Sequence, residues 1–240
     1  MAIQSRYARS CEDIPYFDRI EQIRQAWKSY SKINPNKDTP EFAAMTHAKF
    51  IFLDRTIKIN PFKSSHYAWI DAGLLKVATN VELIPSLTPP DKIKCLMIRY
   101  ISEQEIQSES FVSACQYKIA GGFFLGPSQL IKLLCLRMIT EAEYDLYQKR
   151  FGLEQEYMAI IYRRYPDLFD LYYGDFNDLF LNYHKCQRNL YLLEKIFDEA
   201  LSRDDKREAL KVAKYIVKSN LSECSRMEQI NQFVKDNQIF

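Results

Sequence analysis

Apolar residues at Tyr16, Phe17, Ile20, Ile23, Trp27, Tyr30 and Ile33 recur in steps of three and four, which predicts one helical stripe from Tyr16 to Ile33. Pro15 stands just ahead of it, where a missing backbone donor costs nothing. Asn34-Pro35-Asn36-Lys37-Asp38 breaks the chain. A second helix should open with Thr39 as N-cap and Pro40 in its first turn. Phe42, Met45, Lys49, Phe52, Leu53 and Ile57 carry it to about Lys58, and Asn60-Pro61 ends it.

The texture then changes. The aromatic and β-branched run from His66 to Asp71, closed by an acid and then Gly73, predicts a buried strand that delivers Asp71 to its C-terminal end. A second strand is expected over Ile93–Ile101, and a third over Tyr117–Gly126, interrupted by Gly121-Gly122. Helices follow from Ser128 to about Arg150 and from Leu153 to Arg164. Leu171-Tyr172-Tyr173-Gly174-Asp175-Phe176 reads as a strand or turn ending in a second acid. From Asp178 onward the pattern is helical: Leu190, Leu193, Phe197 and Leu201 form one face, and Ala209, Val212, Ala213, Ile216 and Val217 another, with a turn at Asp204-Asp205. Strands separated by long helices place the chain in the α/β class. The organisation expected is a single domain over 1–240, with an α/β core at about 15–175 and a helical part at 176–240.

Composition narrows the function classes. The 33 basic and 31 acidic residues leave a net charge of +2, which argues against nucleic-acid binding driven by phosphate neutralisation. A hydrophobic fraction of 47% supports a packed core rather than disorder. No apolar run is long enough to span a membrane, and Met1–Arg6 shows no signal-peptide pattern. Six scattered cysteines (Cys11, Cys95, Cys115, Cys135, Cys186 and Cys224) suit reduced thiols and a cytoplasmic location better than a disulfide frame or a zinc site.

Four segments could carry chemistry. An acid at the C-terminal end of a strand lies where ligands bind in open α/β sheets, and Asp71 could hold a divalent cation facing a diphosphate or, alternatively, cap the next helix. Paired glycines at Gly121-Gly122 imply a close backbone approach, by a ligand or by the protein itself. Glu154 and Glu156 at a helix start either complement the dipole, or one of them serves a site as general base or acceptor binder. Asp175 reads equally as ligand or cap, and His184 could complete a metal site.

Taken in order, Lys49-Phe50, Asn60-Pro61-Phe62, Tyr67-Ala68-Trp69-Ile70-Asp71-Ala72-Gly73, Gly121-Gly122-Phe123-Phe124-Leu125-Gly126, Glu154-Gln155, Tyr172-Tyr173-Gly174-Asp175-Phe176 and Asn182-Tyr183 resemble the HtrL/YibB family over about residues 15–220. The resemblance implies a GT-A-like fold, that is, a nucleotide-diphospho-sugar-transferase-like mixed sheet flanked by helices. It also implies metal-assisted transfer of a sugar from a nucleotide-sugar donor to a glycan or protein acceptor, with Mn²⁺ or Mg²⁺ as cofactor. By position, Asp71 would be the diphosphate-facing acid at the end of a central strand, and a metal ligand together with His184. Trp69, Asp71, Gly121, Gly122 and Gln155 would bind donor or acceptor, and Glu154 and Asp175 would be catalytic. A viral member would act in the host cytoplasm. The chain departs from the pattern in three places: no second acid follows two residues after Asp71, Leu153 stands where the family pattern has an acid, and no apolar strand precedes Tyr16, so the fold could lack its first strand. These departures carry a second expectation, a truncated or non-catalytic relative that binds glycan or protein.

Overall fold

The computed structural model describes residues 13–31, 34, 36–220 and 224–237. Cys11, Ile33 and Pro35, which the sequence reading used, lie outside the described residues. Four strands form one sheet: β1 (His66–Ile70), β2 (Ile93–Met97), β3 (Ile119–Pro127) and β4 (Phe169–Tyr173). Their order is β1-β3-β2-β4. β3 runs antiparallel to both β1 and β2, and β4 is parallel to β2. Three strands therefore point one way, and their carboxyl ends share one edge of the sheet with the start of β3. The α/β expectation is met as a mixed sheet flanked by helices. No strand precedes β1 among the described residues, although Ser31 makes an isolated parallel bridge to Ala114.

Several predicted elements shift. The N-terminal stripe divides into a 3₁₀ turn at Phe17–Arg19, helix α1 (Ile20–Ala26) and a second 3₁₀ turn at Trp27–Ser29. Tyr16 enters it with positive φ, so the chain turns sharply where a continuous helix was expected. Helix α2 (Pro40–Ile59) begins as expected, with the Thr39 hydroxyl accepting from the Phe42 amide at 3.1 Å, and ends at Asn60 in the left-handed region. β2 stops at Met97, four residues short of Ile101, because the chain leaves the ladder at a register slip. A short helix α3 (Glu103–Ile106) follows, opened by a capping box between Ser102 and Glu105. Helices α4 (Ser128–Tyr147) and α5 (Glu154–Arg164) flank the sheet. Residues 178–189 are mostly turn rather than helix, and regular helices resume only at α6 (Leu190–Ser202), α7 (Lys206–Ser219) and α8 (Met227–Asp236).

β1 is an edge strand, not the buried one expected. Ala68 and Ile70 are exposed, and the other three residues are half-buried. The aromatic content that suggested full burial serves one face only. The main core gathers β2, β3 and β4 with α5 and α7 around Phe50, Phe123, Phe124, Tyr157, Tyr162 and Tyr172. A smaller core joins α1 to α2 and α4 through Tyr16, Ile23, Trp27, Ala43 and Leu146. α2 thus packs on more than one side, which is why it buries Ala43, Ala44, His47, Ala48, Lys49 and Phe50 while Met45 of the expected stripe is exposed.

Candidate functional site

The site is built on Lys49. Its side chain is 2% exposed, enclosed because α2 is covered on several sides. An ammonium there must find oxygen partners, since an unpaired buried charge costs several kcal/mol. Lys49 Nζ donates to Glu154 Oε1 at 3.0 Å, to the Gly121 carbonyl at 3.0 Å and to Asp71 Oδ2 at 3.2 Å. Three donors meet three acceptors, contributed by β1's carboxyl end, β3 and the first turn of α5. The Trp69 indole N–H donates to the other oxygen, Asp71 Oδ1, and the Trp69 ring lies 5.7 Å from the ammonium. Asp71 is therefore held at both oxygens, yet its side chain keeps 36% exposure. It is the member of the cluster that water, and hence a ligand, can reach.

The two glycines make room for the two carboxylates. A methyl on Gly121 would overlap Glu154 Oε1 and lie 3.0 Å from Glu154 Cδ. One on Gly122 would sit 3.2 Å from Leu74 Cδ1 and 3.4 Å from Asp71 Oδ2. Both also occupy the irregular stretch where β3's register against β2 slips, since Cys95 pairs with Phe124 but Met97 with Ile119. The close approach that paired glycines imply is made by the protein's own acids.

Burial alone would raise the Glu154 carboxyl, but the Lys49 ammonium beside it brings it below the ordinary carboxylate value. Glu154 is a buried carboxylate anchor, 6% exposed. His47, two residues before Lys49 and so on a different face of α2, donates from its Nε2 to the Gly152 carbonyl at 3.1 Å. Burial pushes its imidazole down to about 4, so it is neutral at physiological pH. Glu156 is pushed well above the usual carboxylate range by burial, although the Gln116 amide donates to it at 3.1 Å.

The remaining expected site residues are placed differently. Gln155 is buried and its Nε2 donates to Cys115 Sγ at 3.9 Å. Asp175 lies at the same sheet edge as Asp71 but follows β4, on the opposite side of the sheet. Its carboxylate accepts from the Phe176 amide at 2.7 Å and forms a capping box with Asp178, which is the capping alternative. The segment after Asp71, a 3₁₀ turn at Ala72–Lys76, leads across this edge, and Thr79 Oγ1 donates to the Asn177 carbonyl at 2.8 Å. Asp71 itself makes no side-chain cap on that turn. His184 is not brought to Asp71. It sits by Lys94 and Lys218 near the amino ends of β2 and β4, at the opposite edge, so the expected Asp71–His184 pairing on one ion is corrected.

The residues around Asp71 do not fit a divalent cation. The place between the two carboxylates is filled by Lys49, and both Asp71 oxygens already accept hydrogen bonds. Among the described residues no group of three or more His, Cys, Asp or Glu stands close enough to hold a metal ion. Lys49 itself was not expected as a site residue. Its signal was a lysine at a position that the helical stripe of α2 buries.

Fold and site together define a mixed α/β protein with a four-stranded sheet flanked by helices and a lysine-centred carboxylate cluster at the carboxyl edge. The family described as "Bacterial protein of unknown function (HtrL_YibB)" matches residues 11–185, more than two thirds of the chain. The chain belongs to the HtrL_YibB family. Neither a curated protein nor a solved structure matches it. No helix among the described residues is long and apolar enough to cross a membrane.

Proposed function

We propose that the carboxyl edge of the sheet around Asp71 is a glycosyl-transfer site on a GT-A-like fold, taking a nucleotide-sugar donor and a glycan or protein acceptor. The observation that carries this reading is Asp71: a half-exposed carboxylate, oriented at both oxygens, at the crevice position where open α/β sheets bind ligands. In this reading Asp71 accepts the proton of the acceptor hydroxyl. The acceptor oxygen bonds to the anomeric carbon, and the bond from that carbon to the diphosphate oxygen breaks with its electron pair. Glu154 is a positioning residue, because Lys49 and burial keep it from substrate. Trp69 orients Asp71 and offers a ring face for a sugar to pack on. No step is assigned to a metal ion.

The test is a screen of UDP-, GDP- and CDP-sugars for hydrolysis, transfer or binding, run with chelator and with Mn²⁺ in parallel. Chelator-resistant turnover that falls at least 100-fold in Asp71→Asn supports the proposal. Absence of hydrolysis, transfer and binding with every donor ends it. A second reading, a glycan- or protein-binding relative without turnover, is favoured by one observation: both Asp71 oxygens are already engaged. Glycan binding that is unchanged in Asp71→Asn, without turnover in the parent chain, would select that reading.

A further inference from the structure

The balanced total charge conceals a strongly basic cleft at the far side of the sheet from Asp71. A cleft of ≈ 600 Å³ lies beside edge strand β4, between α7 and the residues that lead into β2. Lys211, Lys214 and Lys218 recur in steps of three and four along α7 and share one face of it. Lys92 and Lys94 line the cleft from the start of β2, and His184 from the turn before α6.

The carboxylates present do not balance these ammoniums. Lys94, with an 11% exposed side chain, pairs with Asp170 at 3.2 Å and lies 4.7 Å over the Tyr183 ring. Lys211 Nζ is 2.7 Å from the Tyr162 hydroxyl and 3.7 Å from Glu208 Oε2. Asp91 is the other acid in the lining. Lys92, Lys214 and Lys218 make no ion pair among the described residues. Lys94 and Lys218, from two different elements, both act on the His184 imidazole, which burial and these two ammoniums hold below its ordinary proton affinity. Like charges facing one another across a walled cleft focus a positive potential, and an anion between them removes the mutual repulsion. Lysine binds phosphate as a point charge, and the volume suits a small ligand rather than a chain.

We infer that this cleft binds a small ligand through a di- or triphosphate group, held between Lys214 and Lys218 of α7, Lys94 of β2 and Lys92 just before it. The site is separate from the Asp71 edge and does not depend on the glycosyl-transfer reading. Inorganic pyrophosphate is the probe, titrated calorimetrically into the full chain at constant ionic strength, with the His184 ring-proton resonance followed in parallel by NMR. Pyrophosphate should bind, and the His184 titration should move upward because the bound anion offsets Lys94 and Lys218. Lys214→Gln/Lys218→Gln should weaken binding at least tenfold, whereas Lys214→Arg/Lys218→Arg, which keeps the charge, should bind within about threefold of the parent. Thermal melts of both variants check that the fold is retained. Absence of pyrophosphate binding, equal binding by the Gln variant, or an unmoved His184 resonance would overturn the inference. So would an RNA oligonucleotide binding more tightly than pyrophosphate and losing nothing in the Gln variant.

Discussion

Replacing Lys49 by Met keeps most of the apolar stem of the side chain and removes its charge together with its donors to Glu154, Gly121 and Asp71. Glu154, 6% exposed and 3.0 Å from the lost ammonium, becomes an uncompensated buried carboxylate. Breaking a buried pair by removing one partner costs about 3–5 kcal/mol, against a total of roughly 5–15 kcal/mol for a folded domain. Asp71 adds little to that loss, because its side chain is 36% exposed and water screens it. The pH dependence has a defined sign. In the parent chain Glu154 titrates below its ordinary value, so its contribution is present above the unfolded carboxylate value and fades as pH falls through the folded one. In Lys49→Met the largest opposing influence is gone, burial dominates, and the carboxyl should move above its ordinary value. The deficit of the variant is then largest near neutral pH and narrows as pH falls toward about 4.3. Adding Glu154→Gln removes the stranded charge and should restore about half the loss. Urea unfolding followed by tryptophan fluorescence at about pH 7 and about pH 5 measures all of this. A cost under about 1 kcal/mol at pH 7, or one that does not change with pH, would refute the reasoning.

Other outcomes follow from neighbouring features. Gly121→Ala should cost about 1–3 kcal/mol, because its methyl would overlap the Glu154 carboxylate, and Gly122→Ala should cost less; paired denaturation curves compare them. His47 is depressed from 6.5 to about 4, so the folded state binds fewer protons than the unfolded one in that window and stability rises with pH across it. That part of the pH profile, about 3 kcal/mol between pH 4 and 6.5, should vanish in His47→Asn, as melts across the window would read. Thr39→Ala should cost about 1 kcal/mol through loss of the cap on α2, measured by thermal unfolding. Among the described cysteines, half-buried Cys115 should react first with a thiol reagent, ahead of buried Cys95 and Cys135, as peptide mapping after brief labelling would show.

What was legible in the sequence was mostly local. Thr39-Pro40 marked the start of α2 because a cap and a pre-set φ act on their own turn. The acid closing the His66 run marked the end of β1, and the doubled glycine marked a close approach, because each leaves a signal within a few residues. The partners of that approach were hidden. Lys49 reads as one polar residue in an apolar stripe until packing on several sides of α2 buries it. The edge position of β1 depends on the reversed direction of β3, which no periodicity records. Glu154 was visible, but its reach toward Lys49, rather than toward solvent, depends on Gly121 lying beside it. His184 failed as a partner of Asp71 because their neighbourhoods sit at opposite edges of the sheet, a relation set by topology alone.

The Lys49 cluster also bears on the order in which the chain acquires its shape. Its three acceptors lie 22, 72 and 105 residues further along the sequence. Closing loops of that length costs entropy before any contact repays it. The ammonium therefore has no complete set of partners until α5 docks, and a nascent chain that has not yet emerged as far as Glu154 leaves it unmatched. Helical pairs such as α6 with α7 join residues close in sequence across a tight turn, whereas the cluster at the sheet edge joins parts of the chain up to 105 residues apart. The same residues that define the candidate site are thus also its completion signal, because Lys49 is fully satisfied only when four separate parts of the chain have met.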